Sequence, residues 1–98
     1  MRPSVALDLH REEIRRIVAS RRALNPRVFG SVLHDEDTEE SDLDILVDTT
    51  SRTSLFDLNA ISNALEALLG VPVDVLMPMS LSAEFREQVL AEAKPIWW

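Results

Sequence analysis

From residue 42 to residue 48 the chain alternates between two kinds of side chain. Asp42, Asp44, Leu46 and Asp48 fall on one parity, and Leu43, Ile45 and Val47 on the other. A period of two belongs to a strand, because successive side chains of an extended backbone point to opposite faces. The aliphatic face then needs a second layer to cover it. A chain of 98 residues has room for one such core and not for two.

The rest of the chain is read around this strand. Arg27-Val28-Phe29 is a short strand running into Gly30-Ser31, and Val71-Pro72-Val73-Asp74-Val75-Leu76 is a third, with proline at its start, where a missing donor is tolerated. Leu58, Ile61, Leu65 and Leu68 form the buried stripe of a helix. Ser54 opens it, with Asp57 three positions on as a capping box, and Gly70 closes it. Leu7, Ile14, Ile17, Val18 and Leu24 share the face of a first helix over residues 8–24, capped by Asp8 and stopped by Asn25-Pro26. Arg11, Arg15, Arg16 and Arg22 fall on its solvent side, and Glu12 supports Arg16 at the i, i+4 spacing. A last helix runs from Ser82 to about Ala93 on Leu81, Phe85 and Val89, stopped by Pro95. The acidic stretch from Asp35 to Glu40 has no apolar period and is expected to be a solvated loop, and Met77 and Met79 to fill the core. The expectation is a single compact α/β (α+β) domain over residues 1–98, in the order α-β-β-α-β-α. Two consecutive strands without a helix between them imply a mixed sheet with helices packed on it.

Charge narrows the function. A net charge of −7 argues against a general nucleic-acid binder, whose affinity would rest on neutralising phosphates. Residues 1–30 carry seven arginines against three acids, and the remainder carries three basic groups against fourteen acids, which suggests one positive and one negative face. No apolar run approaches the roughly 20 residues of a membrane span. Met1 to Ala6 lacks the apolar segment and cleavage site of a signal peptide. With no cysteine either, a cytoplasmic protein is expected. Ile96-Trp97-Trp98 reads either as an interface element, sealing a homodimer or a partner, or as a tail folded back on its own domain.

Asp42 and Asp44 project from one face of their strand with α-carbons about 6.6 Å apart. Two bare charges at that separation repel by about 2.5 kcal/mol at an effective dielectric of 20. A divalent cation relieves the repulsion, and all-oxygen ligands select Mg²⁺, Mn²⁺ or Ca²⁺. The spacing alone leaves open a solvated edge strand with its charges outward. Asp74, flanked by Val73 and Val75, joins the other two on one face if the strands pair in register. Gly30-Ser31 is either an ordinary turn or a place where a phosphate approaches the backbone closely, met by amide and hydroxyl donors.

Taken together, Val28-Phe29-Gly30-Ser31, ten intervening residues, Asp42-Leu43-Asp44 and the later Val73-Asp74-Val75 resemble the minimal nucleotidyltransferases of the DNA polymerase β superfamily. The resemblance covers most of the chain and implies that superfamily's palm-like nucleotidyltransferase domain. It implies that Gly30 and Ser31 hold the β- and γ-phosphates of ATP and that Asp42 and Asp44 bind two Mg²⁺. Asp74 would share one of these ions and help deprotonate an acceptor hydroxyl, which then takes AMP. His34 and Asp35 depart from the family, which often has a basic residue and a glycine there. A domain of this length resembles the antitoxin half of a toxin–antitoxin module, whose acceptor is a tyrosine of a helical HEPN-type RNase toxin. This chain contains no tyrosine, so that acceptor would lie on another molecule. Two alternatives stay open: a binding-only antitoxin that masks its partner by contact, and a nucleotide-binding regulatory module.

Overall fold

The computed structural model describes residues 1–96; Trp97 and Trp98, for which an interface role was considered, lie outside the described residues. Two helices, α1 (Pro3–Leu9) and α2 (Arg11–Ser20), lead into the strands β1 (Ala23–Phe29) and β2 (Leu43–Thr49). Helix α3 (Leu55–Leu69), strand β3 (Val73–Leu76), a 3₁₀ turn (Pro78–Ser80), helix α4 (Ala83–Glu92) and the short strand β4 (Lys94–Pro95) follow. The four strands form one sheet in the order β3-β2-β1-β4. β1 runs antiparallel to β2 and β4, whereas β2 and β3 are parallel, so the sheet is mixed as expected.

β2 is therefore an inner strand, which removes the solvated-edge reading of its acids. Leu43, Ile45 and Val47 are fully buried against Ile14 and Val18 of α2, Ile61 and Leu65 of α3, and Ala6 and Leu7 of α1. Leu46, of the opposite parity, is also fully buried but lies outside that cluster, so the acid-bearing face is partly covered too. Helix α3 is held as its sequence demands. The Ser54 hydroxyl accepts from the Asp57 amide, the Asp57 carboxylate accepts from the Ser54 amide, and Gly70 ends the helix at φ 71°. That φ is left-handed, which glycine adopts without a Cβ clash.

Four expectations need correction. The helix expected over residues 8–24 is two helices broken at His10, with Asp8 inside α1 and paired with Arg11 rather than capping. Pro3 starts α1 because its missing N–H is no loss there. The break lets α1 turn onto α3 while α2 packs on β1. Asn25-Pro26 is not a helix stop: it lies in β1 at a register shift between Leu24 and Arg27, with Asn25 at φ 53°. Proline is tolerated at such a bulge. At the other end of the chain, α4 buries no residue, Phe85 is 57% exposed and Met79 73%, and Pro95 belongs to β4 rather than ending a helix. Finally, the charge segregation in sequence is not a segregation in space, since Arg2–Asp37, Arg22–Asp57 and Arg27–Asp48 pair across it.

Candidate functional site

The parallel pair β2–β3 sets the positions of the acids. The Leu43 amide donates to the Pro72 carbonyl at 2.9 Å, which locks the register that places Asp44 opposite Asp74. Neighbouring strands lie about 4.8 Å apart, so these two carboxylates leave the sheet side by side. Helix α3 fixes the outer edge of β3, where Ser62 donates to the Val73 carbonyl and Glu66 accepts from the Val73 amide. On the opposite flank Phe29 is the register partner of Asp44, and the next residue, Gly30, turns away at φ 77°. A Cβ built on Gly30 would collide with Oδ2 of Asp44. Glycine suits the position by its left-handed backbone conformation, and its missing Cβ leaves the space that the Asp44 carboxylate occupies.

Asp44 is half-buried, while Asp42, just before β2, and Asp74 are exposed. Burial, then the charge of Asp74, then that of Asp42 push the Asp44 carboxyl up to about 6. All three influences raise it, and the two that come from neighbouring carboxylates would be relieved by a cation. Among the described residues no three His, Cys, Asp or Glu groups are drawn together as a preformed metal cage. The donor chemistry is oxygen only, mutually repelling and open to water on two of its three members. That set fits Mg²⁺, which keeps several waters and binds through few carboxylates.

Ser31 is half-exposed at the start of a tight loop. The amides of His34, Asp35 and Glu36 donate back to the carbonyls of Gly30, Val32 and Ser31. Asp35 sits at φ 60°, the left-handed conformation that the glycine common in the family would adopt freely. His34 lies 3.3 Å from Glu92 of α4. The acidic stretch is not uniformly solvated, because Asp37 is only 4% exposed. Its carboxylate accepts from Nη2 of Arg2 at 3.1 Å and from the Ser4 amide at 2.9 Å. Burial works to raise its pKa, but the Ser4 amide and Arg2 outweigh it, and the group ends below the usual carboxylate range. Reading the sequence missed this residue. The signal was indirect: a helix begun by Pro3 behind Arg2, which cannot cap, leaves early amides in need of an acceptor.

The structure thus sets Asp44 beside Asp74 and against Gly30, with Asp42 two residues before Asp44 and Ser31 next to Gly30 in the chain. A cavity of about 370 Å³ between α2 and β1, lined by Arg15, Arg16, Leu24 and Pro26, lies apart from these residues.

Comparison with known proteins gives the family and the fold. The sequence profile of the nucleotidyltransferase domain family matches residues 10–96. Protein adenylyltransferase MntA of Thermococcus cleftensis is 40% identical over 86 residues, covering 88% of this chain and 84% of that protein. A solved structure described as a minimal nucleotidyltransferase superposes with a TM-score of 0.84 at 42% identity, covering 94% of each chain. A complex of tri-AMPylated Shewanella oneidensis HEPN toxin with MNT antitoxin shares the fold at a TM-score of 0.68 and 20% identity, over 93% of this chain and 71% of that one. A mixed sheet that sets Asp44 beside Asp74 and against Gly30, in a sequence matched along most of its length, makes this chain a member of the nucleotidyltransferase domain family.

Proposed function

We propose that this chain is a Mg²⁺-dependent cytoplasmic protein adenylyltransferase that moves AMP from ATP to a hydroxyl of a partner protein, with residues 1–98 forming its nucleotidyltransferase domain. The observation that carries the reading is Asp44, half-buried against Gly30 and register partner of Asp74, where the charges of Asp74 and Asp42 add to burial in raising its carboxyl. Asp42, Asp44 and Asp74 would hold Mg²⁺, which when bound supplies charge neutralisation for the attacking and leaving oxygens. Gly30 leaves room for the phosphates, and the Ser31 hydroxyl and neighbouring amides donate to the β- and γ-phosphate oxygens. A carboxylate oxygen of Asp74 takes the proton of the acceptor hydroxyl. The acceptor oxygen then bonds to the α-phosphorus as the bond to the bridging oxygen breaks, and pyrophosphate leaves.

The partner reading follows from the relatives' own descriptions: an adenylyltransferase of 40% identity and an AMPylated HEPN toxin bound to an antitoxin of the same fold. The acceptor would be a tyrosine of a HEPN-type toxin, silenced by the attached AMP, in a hetero-oligomer of the two proteins. A second reading, masking by contact without transfer, draws on Leu55 and Phe56, which are 71% and 85% exposed on α3 and offer apolar area to a partner. Mass spectrometry of the purified toxin after incubation with Mg²⁺-ATP separates the two. Wild type adds the mass of AMP, and Asp74→Asn lowers the rate by about 10²–10⁴-fold. Equal inhibition by both proteins with no gain in mass would leave only masking.

A further inference from the structure

Asp37 is a buried acid that the transfer chemistry does not use. Its two oxygens are taken separately, Oδ1 by Nη2 of Arg2 and Oδ2 by the Ser4 amide, and its own carbonyl accepts from Nε of Arg2 at 3.1 Å. The Ser4 amide belongs to the first turn of α1, where N–H groups lack an intrahelical acceptor, and no side-chain cap comes from Arg2. Asp37 therefore serves as the cap of α1 from across the fold.

Asp37 lies between the two halves of the loop from Gly30 to Asp42, each of which is bonded within itself. On one side are the three back-bonded amides of His34, Asp35 and Glu36, including the left-handed Asp35. On the other, the Ser41 amide donates to the Thr38 carbonyl and the Thr38 amide to the Ser41 hydroxyl, which carries the chain into Asp42. An unfavourable backbone conformation such as that of Asp35 persists only where its surroundings over-determine it. The buried anchor lies two residues later.

We infer that Asp37 is a positioning residue for the nucleotide site: clamped to Arg2 and α1, it holds the Gly30-Ser31 turn and Asp42 in the relative placement that binds Mg²⁺-ATP. The inference rests on the adenylyl-transfer reading of that site. A loop already ordered needs no further ordering when the nucleotide arrives, and affinity rises accordingly.

Two measurements on the full chain test it. Without nucleotide, Asp37→Ala and the milder Arg2→Gln should speed hydrogen exchange at the His34, Asp35 and Glu36 amides by about tenfold or more beyond any change at Ile45 and Val47, which follow global stability. By calorimetry, at a temperature where circular dichroism shows both variants folded, the Kd for Mg²⁺-ATP should rise about tenfold. Adding Asp35→Gly to Asp37→Ala should recover part of that loss, because the turn no longer depends on its anchor to stay left-handed. A residue that only stabilised the fold would lower the melting temperature and leave Kd alone. Unchanged exchange in both variants overturns the clamp, and faster exchange with unchanged Kd overturns its positioning role. Absence of Mg²⁺-ATP affinity in the wild type would overturn the proposed function and the positioning role together, while accelerated exchange would still show that Asp37 orders the loop.

Discussion

Asp37 and Asp44 lie seven residues apart, both are withdrawn from water, and their carboxyl groups respond in opposite ways. Asp37 is the more buried, yet it is held ionised because an amide and a guanidinium meet its two oxygens. Asp44 is only half-buried, yet it is driven toward its protonated form because its burial is uncompensated and the charges of Asp74 and Asp42 add to it. Burial alone therefore does not decide the state of an acid; the partners do. Asp37 is satisfied within the chain, whereas Asp44 is left to be completed by something from outside. Asp57 belongs with Asp37, since the Ser54 amide holds it ionised within its own helix cap.

Removing the charge from the unsatisfied acid should have the largest effect. Asp44→Asn should cut AMP transfer by about 10³-fold or more, as expected when several kcal/mol of transition-state stabilisation are lost. It should at the same time leave the melting temperature in chelator unchanged or higher, because a repulsion is relieved. A fall in both quantities together would mean that Asp44 supports the fold rather than the reaction.

Asp37→Ala should do the reverse to stability. It leaves the Ser4 amide and Arg2 without their acceptor, and urea denaturation should show a loss of about 1–3 kcal/mol. An unchanged midpoint would put Asp37 in the same class as a solvated surface acid.

The pH dependence separates the two groups by sign. The folded pKa of Asp44 lies above its unfolded value, so its contribution to stability grows as pH falls through about 6 and is lost again as pH rises through it. That of Asp37 is lowered, so its contribution is complete above the ordinary carboxylate value and disappears as pH falls through its folded value. In chelator, the wild type should gain about 1 kcal/mol on Asp44→Asn between pH 7 and pH 5, after allowing for solvent screening of a half-buried group. Only below about pH 4 should the advantage of wild type over Asp37→Ala shrink. Denaturant midpoints across pH for the three proteins check both statements.

The smallest effect belongs to the residue between the two. Asp35→Gly removes a left-handed penalty but loosens the unfolded chain, and the balance should raise stability by no more than about 0.5 kcal/mol. A clear loss in thermal unfolding would show that the Asp35 side chain has a role of its own.

Local rules carried the sequence reading where the controlling interaction is local. The cap of α3 was legible because Ser54, Asp57 and Gly70 act within one turn of the backbone they cap. The buried aliphatic positions Leu43, Ile45 and Val47 were legible because a strand has a period of two, and the Gly-Ser to Asp-x-Asp spacing pointed to the family whose profile matches the chain. Partners distant in sequence escaped. Leu24 was taken as the end of a helical stripe, but Ala23 and Leu24 pair with Thr49 and Asp48, and that pairing outweighs a local helical pattern. No periodic signal distinguishes Asp37 from the other acids of its loop, since its burial depends on Arg2 and Ser4 folding against it. By itself the sequence determined the strand period, the cap of α3 and the chemistry of the acids, all of which act over a few residues. Tertiary structure decided that β2 lies inside the sheet, that Asp44 faces Asp74 in register, and that Asp37 is satisfied while Asp44 is not. The physical reason is that burial and charge compensation depend on which groups meet in space, and that meeting exists only once the chain has closed on itself.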